Sequence, residues 1–277
     1  MWSIECEKEF LRSYDYKKIF YFINNKYYAY IPKGLSSNGI VLNSRNSLIG
    51  NWTEKWVCNF LQNIAKKNNL YAVQGVICEE LGLTKSSPAD LVFSNSQQNI
   101  QKPENIKIIF EIKMSIINNY SYNLGLIDFL GDYSTHKGNP SLLRSDSMLK
   151  AIGKSANIRT NILSSKIPIV IIGNSPISNY YIEKVDSLKK MGIIQGFCSI
   201  YPDPKENCIK LSPNKGFVTF SNKEEISCFI DKLLNSKEEY LSAWVNEEKL
   251  SNYIKQAVKY SQSGKKFLEL LRGEDNV

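Results

Sequence analysis

The sequence predicts an α/β fold in one domain, with a central mixed sheet flanked by helices. The first observation is the order of patterns: helix, three strands, helix and strand, over residues 51–67, 70–78, 89–93, 107–114, 139–157 and 166–173. The second is periodicity, because apolar residues recur at helical spacing in the first segment and alternate in the third strand. The third is the lack of an internal repeat or low-complexity linker, which favours a single domain over residues 1–277.

An N-terminal hairpin is predicted ahead of these elements. In residues 17–32, two aromatic and β-branched runs flank Asn24-Asn25, a pair that tolerates positive φ. Residues 33–50 are rich in Gly, Ser and Asn and predict a loop, with a short strand near 40–42. Arg45 lies in this loop, where we expect a solvated surface arginine, with a phosphate contact as the alternative.

The first core helix is predicted to begin at an N-cap, Asn51, and to run to about Lys67. Glu54 stands three residues after Asn51, in the capping-box position. We therefore expect Glu54 to act as a cap and helix-dipole partner. The alternative is an additional acidic group that leans toward Asp90.

The third strand presents an acid and a base beside an apolar core. Successive side chains on a strand point to opposite sides, so the pattern places Ile108, Phe110 and Ile112 on one face and Ile109, Glu111 and Lys113 on the other. The preceding strand follows Pro88 and carries Asp90, which an antiparallel connection over residues 94–105 brings beside Glu111. Unpaired buried charge is costly, so such groups are usually paired, solvated at a cleft or bound to a metal.

Residues 115–139 predict neither a helix nor a strand, and loops of this length are usually functional or partly structured. A helix is predicted from Pro140, which suits a first helical position, to about Asn157. One side of it carries Leu142, Met148, Leu149, Ile152 and Ala156, and another carries Arg144, Lys150 and Lys154.

The remaining elements complete the sheet and add a helical layer. Residues 166–173 are almost wholly apolar, as expected for a strand buried on both faces. The further predictions are a helix at 179–191, strands at 193–201 and 216–220, and helices at 222–235, 237–244, 246–262 and 264–272. The domain thus divides into an N-terminal arm (1–50), a core (51–201) and a C-terminal helical extension (202–277).

The charge balance favours a polyanionic partner. Lys and Arg number 35 against 27 Asp and Glu, which gives a formal net charge of +8. Neutralising phosphates supplies most of the non-specific affinity for nucleic acid. An AT-rich genome, which enriches Asn, Ile, Lys and Tyr, is an alternative origin of this excess.

Composition also narrows the chemistry and the compartment. The six cysteines form no CxxC pair, which favours reduced thiols over disulfides or a zinc site. The single histidine, His136, excludes chemistry that needs two imidazoles. No run approaches the roughly 18 apolar residues of a membrane span, and the first residues lack a secretory pattern. We therefore expect a cytoplasmic protein without a membrane anchor.

Hydrolysis of a phosphodiester by such a chain would need a divalent metal to activate water and stabilise charge. Mg²⁺ takes oxygen ligands, commonly one or two carboxylates with water and substrate oxygens. Asp90 and Glu111 can supply the carboxylates, and Ile112 can offer its backbone carbonyl. Lys113, on the same face as Glu111, can orient the attacking water or stabilise the developing charge.

The stretch Pro88-Ala89-Asp90 with Glu111-Ile112-Lys113 resembles the PD-(D/E)XK nuclease superfamily. The likeness covers roughly residues 51–201 and implies a restriction-endonuclease-like core of order α-β-β-β-α-β. It implies Asp90 and Glu111 as Mg²⁺ ligands and Lys113 as the catalytic lysine. Glu54 corresponds in position to an acidic residue that some members carry on the first core helix. One departure is that Pro88 stands two residues before the aspartate instead of next to it.

Within this superfamily, the chain length and the two extensions resemble a Type II restriction endonuclease. That likeness implies a homodimer that cuts palindromic double-stranded DNA, with a cognate DNA methyltransferase as a genetic partner. Alternatives are a repair, junction or transposon nuclease of the same superfamily and a non-catalytic DNA-binding protein of the same fold. An unrelated α/β protein with a coincidental triad is a further alternative.

DNA contacts are predicted just after the catalytic strand, where residue types that read base edges or hold phosphates cluster. The candidates are Lys137, Asn139, Ser141, Arg144, Ser145, Asp146, Lys150 and Lys154. His136 is expected in a loop or facing DNA, and not as a general base. The alternative for the whole segment is a polar loop and helix start with surface charges.

Overall fold

The computed structural model describes residues 1–36, 41–202, 208–236, 240 and 247–272. The helices are α1 (Ile4–Arg12), α2 (Tyr16–Ile19), α3 (Arg45–Lys67), α4 (Ser145–Arg159), α5 (Ile182–Lys190), α6 (Lys223–Asn235), α7 (Glu247–Ala257) and α8 (Ser263–Arg272). The strands are β1 (Tyr21–Ile23), β2 (Lys26–Tyr28), β3 (Tyr71–Val76), β4 (Ala89–Ser94), β5 (Ile106–Lys113), β6 (Asn119–Asn123), β7 (Leu126–Gly131), β8 (Ile169–Gly173), β9 (Gly196–Ser199) and β10 (Phe217–Thr219). The predicted α/β class with a mixed central sheet is confirmed.

The central sheet has the strand order β10-β9-β8-β5-β4-β3. Strands β3, β4 and β5 run antiparallel to their neighbours in this group. Strand β8 lies parallel to β5, and β9 and β10 continue the parallel half. The elements of the core follow one another as α3, β3, β4, β5, α4 and β8, with the hairpin β6-β7 inserted before α4.

Each face of the central sheet carries its own apolar core. On one face, α3 places Val57 and Leu61 against Ile108 and Phe110. On the other, Met148 of α4 packs in a second cluster that includes Ile109 of β5, with α5 contributing to the same cluster. Burying one such side chain fully contributes about 1.5–3 kcal/mol. The alternation predicted for β5 is therefore confirmed, since Ile108, Phe110 and Ile112 enter one core and Ile109 enters the other.

The start of the first core helix differs from the prediction. Helix α3 begins at Arg45, so Asn51 and Glu54 lie inside it and form no capping box. Its additional first turns carry Ile49, which is buried against Phe10 and Phe20 of the N-terminal arm. Packing against the N-terminal arm thus makes the helix begin earlier than the cap at Asn51 predicted.

Arg45 is buried, and the prediction of a solvated surface arginine is wrong. Its side chain is 4% exposed. Nε donates to the Ile19 carbonyl at 2.9 Å, and Nη2 donates to the Ala29 carbonyl at 2.7 Å. The guanidinium also lies over the Tyr30 ring, 4.6 Å from its centroid. These contacts stabilise the buried guanidinium charge and attach the N-terminal hairpin to α3.

The predicted hairpin is present, and it belongs to a second sheet. Strands β1 and β2 pair antiparallel around Asn24 and Asn25, whose φ angles are 51° and 60°. Residues 115–139, where no strand was predicted, contain β6 and β7, and β6 pairs with β2. The resulting antiparallel sheet has the order β1-β2-β6-β7.

The first helix, α1, was not predicted, and one buried carboxylate ties it to this second sheet. Glu7 accepts hydrogen bonds from Trp2 Nε1 at 3.2 Å, from the Ile117 backbone N–H at 2.6 Å and from the Tyr120 hydroxyl at 2.6 Å. Burial raises the pKa of Glu7 despite these donors. Glu7 thereby joins α1 to the segment that leads from β5 into β6.

Helix α4 begins later than predicted. Pro140 precedes a 3-10 turn over Ser141–Leu143, and α4 starts at Ser145. Ser141 has a φ of 49°, which separates the turn from a continuous helix. Leu149 and Ala156, predicted on the apolar side, are exposed, and the buried face of α4 carries Met148, Ala151, Ser155, Ile158 and Arg159.

The other predicted elements are found close to their expected places. They are β8, α5, β9, β10, α6, α7 and α8. The helix predicted at 237–244 lies outside the described residues apart from Tyr240, and so does part of the strand predicted near 40–42. All six cysteines are free thiols. Within the described ranges, every helix is too short or too polar to cross a bilayer.

Candidate active site

The candidate site lies where β4 begins and β5 ends. The β4–β5 ladder pairs Leu91 with Phe110 and stops there. Asp90 and Glu111 are the next residues beyond this pair, so antiparallel register sets them opposite each other. Both carboxylates are nearly enclosed, with 13% and 6% of the side chains exposed. The structure therefore brings together the two acids that the sequence analysis selected.

Lys113 reaches both acids from the last residue of β5. Its Nζ lies 2.5 Å from Glu111 Oε1 and 3.4 Å from Asp90 Oδ2. The same ammonium donates to the Ile112 carbonyl at 3.1 Å. Glu111 and Lys113 are two residues apart on one strand, so their side chains lie on the same face of the sheet and are close enough to contact each other. The predicted triad of Asp90, Glu111 and Lys113 is thus one connected cluster.

A second lysine enters the cluster from α4. Lys154 Nζ lies 2.9 Å from Asp90 Oδ1 and 2.6 Å from Glu111 Oε2. Its side chain is 17% exposed, whereas that of Lys150, one turn earlier on α4, is 71% exposed. Lys154 was predicted only as a phosphate contact beside Lys150. Its position between the two carboxylates was not predicted.

The backbone of Ile112 contributes on both sides of its peptide unit. Its N–H donates to Asp90 Oδ2 at 2.7 Å, which holds the carboxylate at the point where the ladder ends. Its carbonyl oxygen accepts from Lys113 and therefore faces the same cluster, where it had been predicted as a metal ligand. Hydrogen bonds to a charged acceptor are among the stronger ones in proteins.

Glu54 approaches the cluster from α3. Burial raises the pKa of Glu54, and the negative charge of Asp90 raises it further. Gln74 of β3 donates to Glu54 Oε2 at 3.4 Å. The position of Glu54 agrees with the alternative of an additional acid near Asp90, and not with the expected cap.

The pKa values of Asp90 and Glu111 are shifted in opposite directions from their ordinary values. Burial raises the pKa of Asp90, but Lys113, Lys154 and the Ile112 N–H outweigh it, and the net pKa lies below the ordinary value. Burial and the Asp90 charge raise the pKa of Glu111 above its ordinary value, against the pull of both lysines. Burial lowers the pKa of Lys154, yet the two carboxylates raise it on balance. The surroundings therefore favour the charged form of Asp90 more than that of Glu111.

The donor atoms at this site suit a hard divalent cation. Asp90, Glu111 and the Ile112 carbonyl supply oxygen atoms only, and the Lys154 ammonium already marks a cation position between the two carboxylates. Across the described parts of the chain, no group of three or more His, Cys, Asp or Glu side chains is arranged to hold a metal. A site with two carboxylates resembles those of Mg²⁺, which keeps waters and substrate oxygens among its ligands.

Most of the predicted DNA contacts are exposed near this end of the sheet. The exposed residues are Lys137, Asn139, Arg144, Ser145, Asp146 and Lys150. Asp146 pairs with Arg144 at 3.4 Å and with Lys150 at 3.1 Å, so this group carries both signs of charge. Surface pairs of this kind are weak and can be exchanged for phosphates at small cost.

Ser141 differs from the other predicted DNA contacts, because it is buried. Its hydroxyl donates to the Lys113 carbonyl at 2.5 Å and accepts from the Asn174 N–H at 3.0 Å. Asn174 in turn donates from Nδ2 to the Ser115 carbonyl at 2.7 Å. The structure thus uses Ser141 inside the protein, to hold the end of β5 behind Lys113, and does not bring it to the surface.

His136 lies in the connection between β7 and α4, in agreement with the expectation of a loop, but it is buried, which is against its facing DNA. It is 2% exposed and stacks on Tyr30 with ring centroids 4.0 Å apart. Its two ring nitrogens lie 3.1 Å from the carbonyl oxygens of Lys137 and Ile117. Burial lowers the pKa of His136. It belongs to the packing of the second sheet.

Comparisons of the chain with protein-family models, with curated proteins and with solved structures find no match. The functional interpretation therefore depends on the chemistry and the geometry of the site.

Proposed function

We propose that this protein is a Mg²⁺-dependent nuclease of the PD-(D/E)XK type. The observation that supports the proposal most is the convergence of Asp90, Glu111 and Lys113 at one end of the central sheet. The Lys113 ammonium lies 3.4 Å from an oxygen of Asp90 and 2.5 Å from an oxygen of Glu111. The core order of helix, three antiparallel strands, helix and parallel strand supports it further.

Under this proposal, Asp90, Glu111 and the Ile112 carbonyl would hold Mg²⁺, with Glu54 as a further acidic neighbour. When bound, Mg²⁺ supplies a Lewis acid that lowers the pKa of a coordinated water and offsets charge on the phosphate. Lys113 orients the attacking water and balances the negative charge that develops on the phosphate oxygens. Ser141 and Asn174 keep the Lys113 backbone in place.

More specifically, we propose a Type II restriction endonuclease that cleaves double-stranded DNA and works as a homodimer in the cytoplasm. The net charge of +8 suits a polyanionic substrate. The exposed residues Lys137, Asn139, Arg144, Ser145, Asp146 and Lys150 are candidates for DNA contacts. The N-terminal arm and the C-terminal helices would provide recognition and dimer elements, and a cognate DNA methyltransferase would protect the host DNA.

A second candidate is a DNA-binding protein of the same fold without catalysis. The observation that favours it is the internal charge balance, since Asp90 and Glu111 are already paired with Lys113 and Lys154. Buried ion pairs of this kind also occur as purely structural features. Another nuclease of the superfamily, acting in repair, at junctions or in transposition, would share the site but not the sequence specificity.

The proposal is tested by incubating the purified full chain with phage DNA in Mg²⁺, and again with EDTA. Discrete fragments that disappear with EDTA support a restriction endonuclease. Random nicking that needs Mg²⁺ supports another nuclease of this type. A gel shift without cleavage supports the non-catalytic DNA-binding protein. If the protein neither cleaves nor binds DNA, all three candidates are contradicted.

A further inference from the structure

The four carboxylate oxygens of the candidate site are all in contact with lysine ammonium groups. The Nζ atom of Lys154 lies 2.9 Å from Asp90 Oδ1 and 2.6 Å from Glu111 Oε2. The Nζ atom of Lys113 lies 3.4 Å from Asp90 Oδ2 and 2.5 Å from Glu111 Oε1. A divalent cation that bridges the two carboxylates where an ammonium now contacts both must therefore displace that ammonium.

The two lysines are held differently. Lys113 stands on the same strand as Glu111 and also donates to the Ile112 carbonyl at 3.1 Å, so β5 itself keeps it in the cluster. Lys154 enters from α4, and its described contacts are the two carboxylates alone, so it can withdraw its ammonium without any change in β5. Lys154 is thus the ammonium that leaves at the lower structural cost.

We infer that Lys154 is an internal counter-ion, which occupies the position between Asp90 and Glu111 in the metal-free protein and competes with the divalent cation for it. This inference rests on the proposed function, because it takes the two carboxylates as the metal site. Its role is to keep two enclosed acids together before metal arrives, since like charges at this separation repel each other. The same competition sets a lower metal affinity than the carboxylates alone would give.

The inference predicts that removing the Lys154 charge tightens metal binding. Mn²⁺ binding to the full chain without DNA is measured by electron paramagnetic resonance, for the wild type, Lys154→Met and Lys150→Met. Lys154→Met is expected to bind Mn²⁺ about tenfold tighter than the wild type, because a competing cation is gone. Lys150→Met removes the same charge from the surface of the same helix and is expected to bind as the wild type does.

The unmutated protein offers a second test that does not depend on the folding of a variant. The amine of Lys154 is labelled with an acetylating reagent, and the label is mapped by mass spectrometry with and without Mg²⁺. Mg²⁺ is expected to raise the labelling rate of Lys154 several-fold while that of Lys150 stays constant.

The outcomes separate this inference from the proposed function. If the wild type binds Mn²⁺ and a folded Lys154→Met variant binds it no more tightly, the inference is overturned and the metal site still stands. Labelling of Lys154 that does not change at Mg²⁺ concentrations that saturate the protein overturns it too. If neither the wild type nor Lys154→Met binds Mn²⁺, the inference and the proposed function fail together.

Discussion

The Lys154 ammonium lies 2.6 Å from Glu111 Oε2, which joins the middle of α4 to the end of β5. This contact exists because Met148 and Ala151, on the buried face of α4, pack against the central sheet beneath it. The site is therefore assembled by two layers of the fold, since Asp90 and Glu111 come from the sheet and Lys154 comes from the helix that covers it. Breaking a buried pair by removing one partner typically costs about 3–5 kcal/mol.

Replacing Lys113 with Met is expected to abolish most of the cleavage activity. The ammonium that contacts both carboxylates is lost, and removing one group that stabilises developing charge usually lowers the rate about 10²–10³-fold. Single-turnover cleavage of plasmid DNA in Mg²⁺ measures the effect. Lys107→Met, at the other end of β5, serves as the control because Lys107 donates only to a surface carbonyl, that of Glu104, among its described contacts. Wild-type cleavage by Lys113→Met would remove this lysine from the proposed mechanism.

Replacing Glu54 with Gln is expected to raise the Mg²⁺ concentration needed for half-maximal cleavage by about threefold to tenfold. The change keeps the shape of the side chain and removes a negative charge that acts on Asp90. The expected maximal rate at saturating Mg²⁺ is close to that of the wild type. A titration of cleavage against Mg²⁺ measures both values, with Glu104→Gln as a control at an exposed acid. An unchanged Mg²⁺ dependence would show that Glu54 takes no part in metal binding.

Asp186 of α5 is expected to stabilise the fold in a pH-dependent way. Its Oδ1 accepts from the Ser212 hydroxyl at 2.5 Å and from the Gly216 N–H at 2.8 Å, and Oδ2 accepts from the Asn214 N–H at 3.0 Å. Burial raises the pKa of Asp186, but these donors outweigh it, so the net pKa lies below the ordinary value of 3.8. The stabilisation is therefore present above that value and is lost as pH falls through the lower pKa of the folded state.

The Asp186→Asn variant tests this expectation. It is expected to lower the free energy of unfolding by about 1–3 kcal/mol near neutral pH, because a buried donor loses its acceptor. The difference between variant and wild type should shrink as pH falls below the ordinary value of 3.8 and through the lower pKa of the folded carboxylate. Urea unfolding across this range measures the difference. A difference that is constant from neutral to acidic pH would contradict the role of the Asp186 charge.

The central sheet could be predicted because its patterns are local. The alternation in β5 and the apolar run of β8 each fall within eight or fewer consecutive residues, and the helix–strand order follows from them. The juxtaposition of Asp90 and Glu111 was also expected, since two strands joined by a hairpin connection pair antiparallel, and the pairing of Leu91 with Phe110 sets these residues opposite each other.

The features that could not be predicted depend on packing between distant segments. Strand β6 pairs with β2, whose residues lie far upstream, and β7 exposes Leu126, Phe129 and Leu130, so no alternation marks it as a strand. The direction of Lys154 depends on how α4 is rotated about its axis, which is set by its contacts with the sheet. Arg45 can be buried because two backbone carbonyls and an aromatic ring stabilise its guanidinium. These partners come from other segments, and the residue type alone predicts an exposed side chain.

The most direct test of a metal-dependent nuclease at this site is the Asp90→Ala variant of the full chain. Cleavage of phage DNA in Mg²⁺ is measured together with DNA affinity in a gel-shift assay without divalent metal. Asp128→Ala, at an exposed acid on β7, controls for the loss of one negative charge, and circular dichroism checks that both variants fold. We expect Asp90→Ala to bind DNA within about threefold of the wild type and to produce no fragments, because one of the two metal-binding carboxylates is gone. Cleavage by Asp90→Ala at the wild-type rate would contradict the assignment of this site.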